Sequence, residues 1–199
     1  MENVHGYSYK VKSNKPLGWR DLITTVVSHG GSTGPAWAKF RDGIYLYAFP
    51  CNSPREVLAT FHIGHDYMMG TPIYPHFHFT VKDSNASGVV RIGFEYTLAK
   101  GHQQEHGSIF DSTKIVFTHT YVDAANHDRF KHFVAEVSDE DSINSDLLEP
   151  DTIILMRVFR DANSVQDTYP ADIFGITSDI HYMMGQHATP NKRPDFFQR

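Results

Sequence analysis

The chain has one cysteine, Cys51, among 199 residues. A single thiol excludes an internal disulfide framework and any metal site built from cysteines alone. Long apolar runs are missing too: no stretch approaches the ~18 residues that cross a membrane as a helix. The N-terminus, Met1-Glu2-Asn3-Val4-His5-Gly6, lacks the charged region and apolar core of a signal peptide. No phosphate-binding glycine loop and no Gly-x-Ser-x-Gly nucleophile turn occurs. Positive charge is not in excess, because 18 Lys+Arg face 23 Asp+Glu for a net charge of -5. That balance argues against a nucleic-acid binder driven by bulk charge. An unpaired thiol with no visible leader points to synthesis in a reducing cytoplasm. Asn85-Ala86-Ser87 then reads as a turn rather than a glycosylation acceptor.

What is present is ordinary in bulk and unusual in detail. Hydrophobic residues at 40% and charged residues at 21% suit one globular domain able to bury its own core. Histidine is the outlier, with 13 residues beside 14 Phe and 10 Tyr. That is roughly three times the usual histidine share.

From residue 44 onward the sequence is written in strands. Residues 44–49, 57–63, 74–81, 90–98, 113–122, 129–137, 152–160 and 173–184 are eight segments rich in β-branched and aromatic residues. The segment at 90–98 alternates most clearly: Val90, Ile92, Phe94, Tyr96 and Leu98 against Arg91, Gly93, Glu95 and Thr97. Helical periodicity is weak everywhere. Residues 19–27 are a poor helix candidate, and the acidic stretch 138–149 reads as a solvated loop. The expectation is an all-β, antiparallel β-sandwich of about eight strands, jelly-roll-like. It comprises a basic, extended N-terminal arm over 1–20, a sandwich domain over 21–187 and a C-terminal arm over 188–199. Pro16 and Gly18 are expected to keep the first arm irregular. His65-Asp66-Tyr67-Met68-Met69-Gly70 echoes Ile180-His181-Tyr182-Met183-Met184-Gly185, too briefly to mark a repeat.

His76-Phe77-His78 is the sharpest chemical feature. On a strand, residues i and i+2 face the same way, so both imidazoles project from one face and are candidate metal ligands. His62, His65, His119 and His181 are the other strand-borne candidates for a third ligand. Gly70, five residues and then His76-x-His78 resembles the opening of the cupin metal motif, which belongs to double-stranded β-barrels. The likeness stops after nine residues. Phe79, Thr80, Val81 and Lys82 follow, with Asp83 in an apparent turn, and no second cupin block appears. The other histidines scatter over loops and read as surface or interface residues, which would make assembly sensitive to pH near about 6–7. Asp161, Asp167 and Asp172 share one loop without the spacing of an EF-hand. Trp37, Tyr45 and Tyr47 are side chains on which a sugar ring can stack, although core packing also accounts for them.

Several motifs together resemble a group of small proteins from the virion modules of tailed bacteriophages. They are Ile73-Tyr74-Pro75-His76-Phe77-His78-Phe79, Gly93-Phe94-Glu95-Tyr96-Thr97, Arg157-Val158-Phe159-Arg160-Asp161-Ala162, Asp167-Thr168-Tyr169 and Asp179-Ile180-His181-Tyr182. The similarity spans about residues 19–187. It implies a structural β-sandwich of the virion that decorates or cements the capsid, or serves in the tail, with no catalytic residue and no cofactor. The alternative is a cupin-like metal-dependent enzyme using His76 and His78. A virion role implies self-association, with a trimer favoured, and contact with the major capsid protein or other virion proteins. No membrane and no specific nucleic acid are expected as partners. The arms supply candidate partner-binding residues: Lys10, Lys12 and Trp19 at one end, Arg193, Phe196 and Phe197 at the other.

Overall fold

A computed structural model of the chain describes residues 16–83, 85–185 and 188–197. Ten strands are present among them: β1 (Pro16–Thr24), β2 (Ala36–Arg41), β3 (Ile44–Phe49), β4 (Arg55–His62), β5 (Ile73–Val81), β6 (Ser87–Ala99), β7 (Lys114–Asp123), β8 (His132–Glu136), β9 (Ile153–Arg160) and β10 (Ile173–Gly185). One antiparallel sheet runs β2-β3-β10-β5-β8, with β1 added beside β10. The other runs β4-β9-β6-β7. Without β1 and β2 the orders are β3-β10-β5-β8 and β4-β9-β6-β7, the two sheets of an eight-stranded jelly roll. The eight segments legible in the sequence are β3 to β10, so the sandwich is the expected one.

Alternation builds the core. On β5, Ile73, Phe77, Phe79 and Val81 point inward against Val90, Ile92, Phe94 and Tyr96 of β6 and Ile154, Met156 and Val158 of β9. The outer face of the second sheet carries a different layer. Arg91 lies 3.5 Å over the Phe117 ring, and Arg157 lies 4.3 Å over that of Phe159. Gly93 makes room for this layer, because a Cβ there would overlap the Phe159 ring. Arg157 is also held by Glu56 at 2.6 Å and Glu95 at 2.5 Å.

Two expectations are corrected at the N-terminal side. Residues 16–20 belong to β1, so the arm cannot extend to residue 20, and Pro16 and Gly18 sit within a strand rather than an irregular arm; 19–27, a poor helix candidate, is strand and bridge. Pro16 is tolerated because it opens the strand, where a missing N–H costs little ladder bonding. Gly18 takes φ 146° at the bulge between Pro16 and Gly18. β2 was also unmarked in the sequence. It pairs with β3 from Ala36↔Ala48 to Arg41↔Ile44. The acidic stretch is loop with two short turns, Asp139–Asp141 and Ser145–Leu147. The two echoed hexapeptides touch: Tyr67 bridges to Met184, and Gly185 N–H donates to the Asp66 carbonyl at 2.8 Å.

The connection from β9 to β10 is held from inside. Arg160 is fully buried, and all five of its N–H donors are used. They reach Asp167 Oδ2 (3.0 Å) and Oδ1 (2.7 Å) and the carbonyls of Phe49 (3.2 Å), Ala171 (2.7 Å) and Tyr169 (2.6 Å). Asp167 is therefore a buried counter-ion, and Asp161 pairs with Arg91. Neither belongs to a free calcium-binding loop. Breaking a buried pair by removing one partner costs about 3–5 kcal/mol. Arg160→Met is expected to lose that much in urea unfolding. Arg160→Lys should recover little, since an ammonium cannot reproduce the planar fork. A loss below about 1 kcal/mol in Arg160→Met would contradict this account.

Candidate functional site

The opposite alternation on the first sheet produces the site. With Phe77 and Phe79 in the core, Tyr74, His76, His78 and Thr80 project from the outer face of β5. Antiparallel register places residues of neighbouring strands side by side on that face. Asp179 of β10 stands opposite His76, which stands opposite Glu136 of β8. Asp21 of β1 stands opposite His181, and Thr177 opposite His78. Four strands thus deliver Asp21, Asp179, His181, His76, His78 and Glu136 to one patch.

The geometry is tight. His78 Nε2 lies 3.3 Å from Asp179 Oδ1, and His76 Nε2 lies 3.7 Å from Asp179 Oδ2. The two Nδ1 atoms are turned elsewhere: that of His78 lies 2.6 Å from His132 Nε2, and that of His76 lies 3.4 Å from the Tyr74 carbonyl. The His181 ring packs on His76 with centroids 4.0 Å apart, and its nitrogens reach Asp21 (2.7 Å) and Glu136. His76 is only 1% exposed, and Asp179 is also buried. Burial, with the nearby imidazoles of His181 and His78, pushes His76 down to about 4. Burial also pushes His78 below its ordinary value and Asp179 above its own. The neutral imidazole is thereby favoured at His76 and His78, the form that can ligate a metal.

His76 and His78 therefore share one face, as their spacing requires. Of the four third-ligand candidates, His181 adjoins them, whereas His62 and His65 lie at Asp151. His62 is 3.0 Å from that carboxylate, His65 is 3.4 Å and the loop residue His102 is 2.7 Å. Asp179, Asp21, Glu136 and His132 were not anticipated. The alternation Asp179-Ile180-His181 was the available signal, since two ligand types at i and i+2 mirror His76-Phe77-His78. Both histidines face away from the sandwich interior, because Phe77 and Phe79 of the same strand fill it.

The partner-binding candidates separate. Lys10 and Lys12 lie outside the described residues. Trp19 stands exposed on β1, with its ring edge-to-face with Tyr74 at 5.4 Å. Arg193 is exposed, and Phe197 is half-buried. Phe196 is corrected: it is 4% exposed and packs on its own chain, against His65 at 5.7 Å and His102 at 6.0 Å. Thr189 anchors the same segment, its N–H donating to the His65 carbonyl at 3.0 Å. An apolar ring this close to the body gains more from burial there than from waiting for a partner.

A second exposed feature lies where β10 changes neighbour. It pairs with β3 through Ile173 to Gly175 and with β1 from Ser178 onward. The fork leaves a groove of about 430 Å³ lined by Ile23, Val27, Trp37, Leu46, Tyr47 and Ile176. The Trp37 and Tyr47 rings lie 4.3 Å apart.

No protein-family model matches the chain, and no curated protein matches it. Among solved structures, a xylan-binding module aligns with 11% identity and a TM-score of 0.35, over 86% of this chain and 93% of that one.

The docked tail yields a prediction. Phe196→Ala should free the segment without unfolding the sandwich. Trypsin should then cut the exposed Lys192–Arg193 bond about tenfold faster or more, following the population of the open form. Peptide mass mapping over a time course reads this, and an unchanged cleavage rate would show that Phe196 does not hold the tail.

Proposed function

We propose that the protein is a structural component of a tailed-phage virion, a capsid cement or decoration protein that works as a closed homo-oligomer. A trimer is the favoured form, and the major capsid protein is its partner. A place in the tail or at the head–tail junction is the variant of the same reading. Synthesis in the host cytoplasm and residence in the virion follow from it, and catalysis has no part in it.

One observation carries the reading: large apolar side chains stand in solvent on strands of both sheets. Ile23 is 68% exposed and Trp37 62%, with Ile44 and Tyr45 also exposed, and Ile23 and Trp37 line one groove together with the exposed Val27, which bridges to Leu58. On the other sheet Tyr121 is 63% exposed, with Ile115, Leu58 and Leu155 also open. Contiguous exposed apolar surface on a folded domain marks a surface made to be covered. Closed point-group symmetry covers such patches and limits open sheet edges. The resemblance of the Pro75-His76-x-His78 and Asp179-x-His181-Tyr182 segments to virion proteins supplies the biological setting. The alternative, a cupin-like metal-dependent enzyme using His76 and His78, rests on the nine-residue likeness from Gly70 to His78 alone.

Light scattering after size-exclusion chromatography tests the assembly. The expected mass is three times 22.6 kDa. The double variant Ile23→Asp, Trp37→Asp is expected to run as a monomer with an unchanged far-UV spectrum. A wild-type protein that is monomeric at micromolar concentration would overturn the oligomer. Absence of the polypeptide from purified particles of a phage carrying its gene would overturn the virion role.

A further inference from the structure

We propose that His76, His78 and Asp179 form a binding site for one first-row divalent transition-metal ion, of which Zn²⁺ is the test case. The inference is independent of the virion reading, since it rests on side chains within one chain.

His76, His78 and Asp179 each offer a donor atom, and these atoms lie within 4.8 Å of one another. Metal–ligand bonds of about 2.0–2.1 Å in a tetrahedron hold donors about 3.3 Å apart. The observed separations of 3.3 Å and 3.7 Å from Asp179 approach that value with small side-chain rotations.

His78 Nε2 and Asp179 Oδ1 are buried and face each other at 3.3 Å, yet neither makes a hydrogen bond among the described residues. Buried polar atoms in native proteins are nearly always satisfied. A cation between them would satisfy both at once.

His76 Nδ1 faces an obligate acceptor, the Tyr74 carbonyl at 3.4 Å, and His78 Nδ1 lies 2.6 Å from His132 Nε2, which accepts when His132 carries its own proton on Nδ1. A proton held on each Nδ1 leaves the Nε2 lone pair toward Asp179. Ligating histidines are oriented in this way by their second nitrogen. His181 is excluded from the ligand set because Asp21 and Glu136 already occupy its nitrogens. Glu136 and Asp21 add negative charge around the site, which favours a bound cation.

Two imidazoles and one carboxylate select the ion. Nitrogen donors suit Zn²⁺, Fe²⁺, Co²⁺ or Ni²⁺, whereas Mg²⁺ and Ca²⁺ prefer oxygen donors alone. A three-ligand set leaves further positions for water or for a group from outside the chain.

Titration calorimetry on metal-stripped full-length protein provides the test, with Zn²⁺ as the probe and Co²⁺ absorption as the spectroscopic readout. The expected result is one Zn²⁺ per chain, with Kd below about 1 µM. His78→Ala and the near-isosteric Asp179→Asn should each weaken binding at least ~100-fold while the far-UV spectrum is unchanged. Co²⁺ should give visible bands in the wild type that both variants lose. His62→Ala, in the cluster at Asp151, should bind as the wild type does. Wild-type binding weaker than about 100 µM, or equal losses in His62→Ala and His78→Ala, would mean adventitious surface histidines only and would overturn the site. The oligomeric state of these variants is not part of the readout, so failure of the metal site and failure of the assembly reading remain distinguishable.

Discussion

The rest of the structure depends on one fully buried guanidinium. Arg160 ends β9, and its five donors hold Asp167 and three carbonyls at the point where the chain must return to the first sheet. Ion pairs of this kind often add little net stability over an apolar replacement. Their effect lies in what they exclude, because any other path for the connection would leave a charge and several carbonyls unpaired. The clamp also reaches β6, since Asp167 accepts the Arg91 N–H at 3.0 Å. With the connection pinned, β10 begins at Ile173 in a single register, and every side chain along it is assigned a face.

That register decides the site. A slip of one residue would carry Asp179 and His181 to the core and Ile180 to the surface. In the observed register Asp179 lies opposite His76 and His181 opposite Tyr74, so acidic and imidazole groups from four strands meet on one outer face. Burial of His76 there is a product of crowding by neighbouring polar side chains, not of an apolar pocket. The same strand changes partner along its length, from β3 to β1, and the fork opens the apolar groove. A polar cluster and an apolar groove thus sit on one sheet because one long strand serves several neighbours.

The motifs that suggest virion proteins each have a physical task in this fold. Arg157 and Glu95 tie β9 to β6, Arg160 and Asp167 clamp the connection, and His76, His78, Asp179 and His181 make the outer-face cluster. The tail is less of a free arm than its composition suggests, because Phe196 finds its pocket between His65 and His102 on its own chain.

Local pattern determined the sandwich. Period-two alternation at 90–98 and 74–81 sets one apolar face per strand, and two such faces must meet. It also determined that His76 and His78 share a face, since that follows from backbone geometry alone. It did not reveal β1 or β2, because Pro16, Gly18 and the mixed text of 36–41 become strands only by pairing with β10 and β3. Nor did it name Asp179 as the third member of the cluster, or Asp167 as the partner of Arg160. Those pairings join residues whose strands are neighbours in space but distant in the chain. Register between strands is a property of the packed sheet, set by which faces are buried and where the connections are clamped, and it exists only once the tertiary structure has formed.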